Sequence, residues 1–449
     1  TRARVANTHA VIPTFREADR FEIREDIASD IRVGFTSVSS QWGFVLEMAE
    51  IVKKFSPKTI NACGGVHTTL NPECVIEAKH LDAVFAGDSE YSFLEFLKKI
   101  ENNESWKDCD NVAYNDNGKL KKNKMKKLLS DTELERLPHP DRTTYPFSKV
   151  MQTVGLAPFH FTRGCPFTCT YCSNIGIAKV YGQTRYNIRQ ASPEYAIQEL
   201  EETIKQNPTI GPVYKISLTD DIFGLNKKWR REFLALYRER IKIPFVCLLR
   251  CDVVTEDTMQ DLAKGYCHTI QFGVESGSDY IRNVVMDRAM PRETIINAFR
   301  LAKKYGVNTN AINIIGVPGE TKEMIRDSLV SLGMQEIISY SLVSQSIIAD
   351  SLGTTDGLSP LKVANPMSSD REYLRTSLFG NILSTLAYNQ RYQRDELHLF
   401  EIGRVFSPQF ETLPVEKEVV VGVLSGPRIR GWRDRDQRFN DFFDAKGIL

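Results

Sequence analysis

Cys165, Cys169 and Cys172 form a Cys-x3-Cys-x2-Cys run, with Gly164 before the first thiol and Pro166 after it. Three thiolates this close suit a soft centre built of several irons. Gly164 and Pro166 keep the segment tight and non-helical. Three ligands for four irons leave one iron without a protein donor, and an open iron is what substrate chelation needs. A structural zinc is the first alternative, and it wants four closed ligands. No Cys-x2-Cys partner pair follows; Cys247 and Cys251 lie on another strand. The second alternative, three unrelated buried cysteines, fits poorly with such spacing in a loop.

Other candidates gather where strand-like runs end. Asp220 and Asp221 follow the run Val213–Thr219, where a carboxylate could accept from an ammonium or a hydroxyl; helix capping is the alternative. Arg250 closes the next run and could hold a carboxylate, or else an internal ion pair. Gly273, Glu275 and Ser276 close another, and Gly316 with Pro318 and Gly319 another. Nearer the start, Ser39, Gly64, Gly65, His67, Gly87 and Glu90 fall at the ends of three further runs. A lone His67 reads first as a hydrogen-bonding loop residue.

The elements that must position these residues come in three parts. Residues 1–140 alternate strands (Ile31–Val38, Thr59–Cys63, Ala83–Ala86) with helices (Phe44–Lys54, Pro72–Lys79, Tyr91–Ile100). That rhythm predicts an α/β, doubly wound parallel sheet whose ligands sit at the carboxyl ends of the strands. The basic run Lys119–Lys127 reads as a solvated hairpin or linker, and 141–154 as a linker. Residues 155–328 repeat strand and helix: strands at Phe159–Arg163, Val213–Thr219, Phe245–Arg250, Thr269–Val274 and Asn308–Ile315, with Ser192 and Thr255 as helix caps. Such a series predicts a (βα) barrel or part of one. Residues 329–449 lack cysteine and predict an α+β fold, with antiparallel strands Leu397–Phe406 and Glu418–Leu424 around a helix, Ser377–Asn389.

The whole chain has 449 residues, 42% hydrophobic and 26% charged, with a formal charge of +1. Those values fit a globular chain of about three domains. They exclude a strongly basic nucleic-acid binder and an acidic tail recognisable from charge alone. No apolar run approaches the roughly 18 residues of a membrane helix, and no signal peptide opens the chain. Nine cysteines, an odd number, argue against a secreted disulfide framework and for a reducing cytoplasm. Thr1 at the start and the Asp441-Phe442-Phe443-Asp444 run near the end read as cuts within a longer protein.

Phe161-Thr162-Arg163-Gly164-Cys165-Pro166-Phe167-Thr168-Cys169-Thr170-Tyr171-Cys172 resembles the signature of the radical S-adenosylmethionine (SAM) superfamily. Thr219–Phe223, Arg250, Gly273–Gly277 and Ile314–Glu320 resemble its later strand motifs, in order, across about 155–328. The resemblance implies a 4Fe-4S cluster on Cys165, Cys169 and Cys172. SAM would chelate the open iron and be cleaved to methionine and a 5′-deoxyadenosyl radical, with an electron donor such as flavodoxin or ferredoxin. It implies SAM contacts at Asp220, Asp221, Arg250, Gly273, Glu275, Ser276, Gly316 and Pro318, with ribose hydroxyls on Glu275 and Ser276.

Gly64-Gly65-Val66-His67-Thr68 and Gly87-Asp88-Ser89-Glu90 resemble the cobalamin-binding domain that precedes this class of enzyme. The family's usual Gly-Glu-x-Glu is here Gly-Asp-Ser-Glu, and the Asp-x-His-x-x-Gly motif is absent. That implies cobalamin bound without a protein His ligand, near Ser39, Gly64, Gly65, His67, Gly87 and Glu90. The expected function is radical methylation or rearrangement of a small-molecule or unknown substrate.

The last part resembles another family. Gly333–Ser341, Asn365-Pro366-Met367-Ser368, Arg375–Leu378 and Leu399–Phe406 are similar to the phenylalanine–tRNA ligase beta subunit, over about 330–449. That implies a non-catalytic synthetase-like core packing on a catalytic alpha subunit, with Arg375 and Glu401 supporting the fold. The cluster Arg428, Arg430, Arg433, Arg435 and Arg438 is interleaved with Asp434, Asp436 and Asp441 and reads as a solvated loop. The two resemblances meet near 327–333, which predicts a chimera of two gene fragments. In that case the strand Asn308–Ile315 is left as a sheet edge. The rival functions are a phenylalanine–tRNA ligase beta fragment and a zinc-stabilised α/β binding protein.

Overall fold

The computed structural model describes residues 32–143, 146–349, 359–366, 368–392, 396–409 and 413–426. It divides into two compact units. One runs up to Ile270 and includes Met286–Arg288 and Asn297–Asn308; the other holds Gln271–Val285, Ala289–Ile296 and the residues from Thr309 on. The arginine cluster 428–438 lies outside the described residues.

In the first unit, strands β1 (Arg32–Thr36), β2 (Ile60–Gly64) and β3 (Ala83–Phe85) pair in parallel. Strands β4 (Val112–Asp116) and β5 (Lys119–Lys122) add antiparallel, giving the order β1-β2-β3-β4-β5. The basic run is thus one arm of a hairpin. Successive side chains of a strand leave on opposite faces, and the core shows it. Cys63 and Val84 join one cluster with Val45, Ala49 and Val75; Ala62, Ala83 and Phe85 join another with Phe96 and Val112. The helices Trp42–Phe55 and Glu90–Glu101 bring Val45 and Phe96 to those clusters. The helix expected over Pro72–Lys79 is instead a short helix, Val66–Leu70, and a 3-10 turn, Pro72–Ile76. Asn71, at φ −138°, breaks the helical path, and Pro72 supplies no N–H to restore it.

Residues 141–154 carry a helix, Phe147–Val154, with Phe147 and Met151 buried. Nearby Arg142 is buried against Glu199 at 2.7 Å and Thr203 at 3.1 Å.

The second sheet has the order β12-β11-β10-β9-β6. Its strands are β6 (Leu156–Phe159), β9 (Lys215–Leu218), β10 (Phe245–Leu249), β11 (Cys267–Glu275) and β12 (Asn308–Asn313). Its five strands lie side by side in chain order, with β6 and β12 at the two edges. The β6–β9 and β9–β10 pairs are parallel, an open sheet compatible with part of a barrel, and β12 lies at the edge expected. Helices Pro193–Gln206, Lys227–Arg240 and Glu256–Lys264 lie between strands in sequence; Ser192 and Thr255 cap two of them, accepting from Tyr195 N and Thr258 N. An aromatic cluster of Phe223, Trp229, Phe233, Tyr237 and Phe245 fills the core here.

A further expectation fails. Phe159–Arg163 is not a single strand. β6 stops at Phe159, and a new strand, β7 (Thr162–Cys165), pairs antiparallel with β8 (Tyr186–Gln190) in a separate two-stranded sheet.

In the second unit, β16 (Leu397–Ser407) and β17 (Val415–Ser425) form a long antiparallel pair, with β13 (Gln335–Glu336) parallel to β16. Short strands β14 (Leu342–Val343) and β15 (Tyr373–Leu374) pair antiparallel. The helix Phe379–Gln390 supplies Ile382 to a core with Leu397, Leu399, Val405 and Val421. Arg375 and Glu401 form a buried pair at 2.8 Å, with Ser339 Oγ donating to Glu401 at 2.7 Å. The helix Lys322–Ser331 shares a core with this region, through Leu329, Met334 and Phe400.

Candidate functional site

Asp220 follows β9 and decides how the three-cysteine segment leaves the sheet. Its Oδ1 accepts from Phe161 N at 2.8 Å, Thr162 N at 2.5 Å and Thr162 Oγ1 at 2.8 Å. The carboxylate is fully buried, and burial pushes its pKa up against those hydrogen bonds. It thus bends the chain between β6 and β7, and faces inward instead of offering itself as an open acceptor. Asp221 is exposed and accepts from Asn174 Nδ2 at 2.9 Å.

Register in the β7–β8 pair shifts between Arg163 and Cys165. Gly164 sits at that bulge with φ +93°, and a Cβ there would come 2.5 Å from Asn187 O. Only glycine satisfies both constraints. Cys165 therefore ends a strand instead of lying in a loop after it, as expected from the sequence. Cys172 caps the start of the helix Ser173–Val180, and its N–H donates to Cys169 O at 3.1 Å.

Cys165 and Cys169 are buried and Cys172 is half-buried. Burial pushes the Cys165 thiol up to about 11; the Phe167 N–H opposes this, and Asp221, Cys172 and Cys169 add to it. Among the described residues, no three His, Cys, Asp or Glu side chains are set to hold a metal ion. A cluster takes one thiolate on each of several irons, so its ligands stand farther apart than those of a single ion. Three thiols in one segment without a fourth protein donor differ from the closed four-ligand set of a structural zinc.

The surroundings suit a cluster. Arg250 Nη1 donates to Cys169 Sγ at 3.1 Å, and Arg288 Nη1 lies 3.8 Å from the same sulfur. Cationic donors of this kind stabilise thiolate charge. Arg250 is otherwise committed: Nε and Nη2 donate to Asp252 at 2.9 and 2.8 Å, Nη2 to Arg288 O at 2.7 Å, and its guanidinium lies 3.8 Å from the Phe167 ring centroid. The internal ion pair weighed from the sequence is the arrangement found. Sequence reasoning missed Arg288 and Phe167; only folding brings Arg288 to the cysteines.

In the second unit, Glu275 is buried with φ +72°, a conformation unusual for a side-chain-bearing residue. Its carbonyl accepts from Ile314 N at 2.7 Å, and Ser276 O accepts from Arg282 Nη1 at 2.7 Å. Gly273 is half-buried on β11. Gly316, at φ +86°, donates its N–H to Glu320 Oε2 at 2.6 Å, and Pro318 is exposed in the same turn.

In the first domain, Ser39 Oγ and His67 Nδ1 meet at 3.1 Å, and the imidazole stacks on Trp42 at 4.4 Å. Burial lowers the His67 pKa, and its Nε2 is buried without a partner. Gly64 ends β2, and Gly65 is confined by φ +104° and by Ser37 O, 2.7 Å from where a Cβ would stand. Gly87 and Glu90 lie after β3. A Cβ on Gly87 would overlap the Tyr181 hydroxyl. Glu90 Oε1 pairs with Arg163 Nη2 at 2.5 Å. Ser39, Gly65 and His67 are thus brought together, while Gly87 and Glu90 engage the β7–β8 segment. Sequence reasoning gave no sign of Arg163 or Tyr181 as their partners.

Two family models match the chain: the radical SAM superfamily over residues 159–332, and the phenylalanyl tRNA synthetase beta chain CLM domain over residues 319–449. Both cover the helix Lys322–Ser331. An uncharacterized methyltransferase of Pyrococcus horikoshii is 28% identical over 302 residues, 66% of this chain and 62% of that protein. The phenylalanine–tRNA ligase beta subunit of Dehalococcoides mccartyi is 36% identical over 135 residues, 30% of this chain and 16% of that protein. Among solved structures, the radical SAM methyltransferase TsrM from Kitasatospora setae, with cobalamin and a 4Fe-4S cluster bound, has a TM-score of 0.56. It is 18% identical, over 70% of this chain and 64% of that one, and shows a shared fold. The chain thus spans less than two thirds of the Pyrococcus and TsrM chains. Residues 159–332 thus match the radical SAM superfamily and residues 319–449 the phenylalanyl tRNA synthetase beta chain CLM domain, two matches that overlap over 319–332 in a manner consistent with a chimera.

Proposed function

We propose that residues up to about 328 act as a cobalamin-dependent radical SAM enzyme that methylates a substrate not yet identified. The observation that carries this reading is the three-cysteine segment, built on a glycine bulge and edged by the Arg250 and Arg288 guanidinium groups. The TsrM fold and the Pyrococcus methyltransferase support the methyl-transfer class and the cobalamin. Cys165, Cys169 and Cys172 hold the cluster; Ser39, Gly65 and His67, with the unpartnered His67 Nε2, fit a polar edge of cobalamin. When bound, the cluster supplies reductive cleavage of SAM, and cobalamin supplies a methyl carrier. This chain's own residues do the rest. Gly164 lets β7 turn, Asp220 fixes the turn, and Arg250 places a cation on Cys169. Burial of Cys165 and Cys169 keeps water from the sulfurs.

The test is anaerobic reconstitution followed by addition of cobalamin, SAM and a reductant. Bound-cobalamin absorbance and SAM turnover are expected. Cluster loading without SAM consumption contradicts the enzyme reading, and one zinc with no iron or sulfide favours the binding-protein reading.

A second reading applies to residues from about 330. The match over 319–449 and the buried Arg375–Glu401 pair favour a synthetase beta core that packs on an alpha subunit without catalysing. Capture of a bacterial phenylalanine–tRNA ligase alpha subunit supports it; failure of the two to associate contradicts it.

A further inference from the structure

The Gly87–Glu90 loop has partners that a cofactor motif does not need. Glu90 Oε1 pairs with Arg163 Nη2 at 2.5 Å, and Asp88 Oδ1 lies 3.5 Å from Arg163 Nη1. Asp88 Oδ2 pairs with Arg189 Nη1 and accepts from Leu129 N at 3.1 Å. The Asp88 N–H donates to the Tyr181 hydroxyl at 2.9 Å. Burial pushes that phenol up to about 12, against the Asp88 N–H hydrogen bond, which lowers it.

These contacts bracket the three cysteines. Arg163 lies on β7, two residues before Cys165, and Arg189 faces it on β8. Tyr181 caps the C-terminal end of the helix that begins directly after Cys172. One short loop therefore grips both flanks of the segment. The Asp88 side chain is 8% exposed, and Glu90 and Arg163 are about one third exposed, so these charges are partly shielded from water. Arg163 presents a planar fork that can engage both carboxylates at once.

We propose that Gly87–Glu90 is a clasp for the cluster segment: Glu90 and Asp88 act as positioning residues that fix Cys165 and Cys172 through Arg163 and Tyr181. Gly87 is glycine because the Tyr181 hydroxyl occupies the place of its side chain. The proposal deepens the cluster-and-cobalamin reading above and rests on it, but the clasp itself exists without either group.

The experiment compares the wild type with Glu90→Gln, Arg163→Gln, the double variant and Arg163→Lys. In metal-free protein, hydrogen exchange across 162–190 is expected to quicken several-fold in each glutamine variant. The double variant is expected to be no worse than either single, and Arg163→Lys to recover most of the protection. After reconstitution, the glutamine variants are expected to show an altered reduced-cluster EPR envelope, with cobalamin absorbance unchanged. Additive effects in the double variant, or unchanged exchange in both singles, overturn the clasp. So does loss of cobalamin from Glu90→Gln with cluster and exchange intact, which makes Glu90 a cofactor contact instead. Should the wild type take up no cluster, the broader reading fails, and the exchange experiment still decides the clasp.

Discussion

Two arginine–carboxylate pairs, one in each unit, show two different uses of charge. Arg375 and Glu401 are nearly sealed, at 4% and 2% side-chain exposure, and Ser339 and the Arg404 carbonyl complete their hydrogen bonds. Arg163 and Glu90 are left at 32% and 34%, and Glu90 Oε2 finds no partner. A fully satisfied buried pair closes a core; breaking one partner leaves an uncompensated charge. A half-open pair beside a three-thiol segment positions something. The same chemical pairing therefore closes a core at Arg375–Glu401, as at Arg142–Glu199 in the first unit, and edges the three-cysteine segment at Arg163–Glu90.

The largest effect that could break this contrast comes from the cysteines. Replacing Cys165, Cys169 and Cys172 together with Ala is expected to abolish iron and sulfide binding while the second unit unfolds as before. Elemental analysis beside a chemical melt reads both. Next comes Arg375→Ala, expected to cost the second unit about 3–5 kcal/mol and to leave iron uptake untouched; a fall in iron uptake would erase the distinction.

A smaller loss is expected from Asp220→Ala, about 1–3 kcal/mol from unsatisfied donors, with weaker cluster retention. Burial raises the Asp220 pKa, so just above the ordinary carboxyl value the native protein binds more protons than the unfolded chain. The stability this carboxyl contributes is greatest below its ordinary value near 3.8 and declines as pH rises through the raised native value. Denaturant melts of wild type and variant should accordingly differ more at mildly acidic pH than at neutrality. The smallest effect is one of rate. Alkylation of metal-free protein should modify half-buried Cys172 before Cys63 and Cys74, whose thiols burial pushes up to about 12 and about 11. Equal rates, read by mass spectrometry, would show the segment to be as closed as the core.

Much of this was legible in the residues. Strand–helix alternation yields both open sheets, because parallel strands with covered faces write continuous apolar runs. The antiparallel pair Leu397–Ser407 and Val415–Ser425 was visible for a similar reason. The break at His160-Phe161 was not, since the apolar pattern runs through it; the turn is imposed by Asp220, some 60 positions on. Arg250 read as a carboxylate holder, and it is one, but the carboxylate is Asp252 of its own turn. Gly87–Glu90 read as a cofactor motif because its types suit one. Its partners Arg163 and Arg189 stand far away in sequence, and local pattern cannot supply such pairings.

The most direct test of the central claim is EPR of the anaerobically reconstituted, reduced protein before and after SAM. The account predicts a 4Fe-4S signal that changes when SAM occupies the open iron and disappears in the triple Cys→Ala variant. No reducible cluster in the wild type, or a signal that survives in the triple variant, would contradict it.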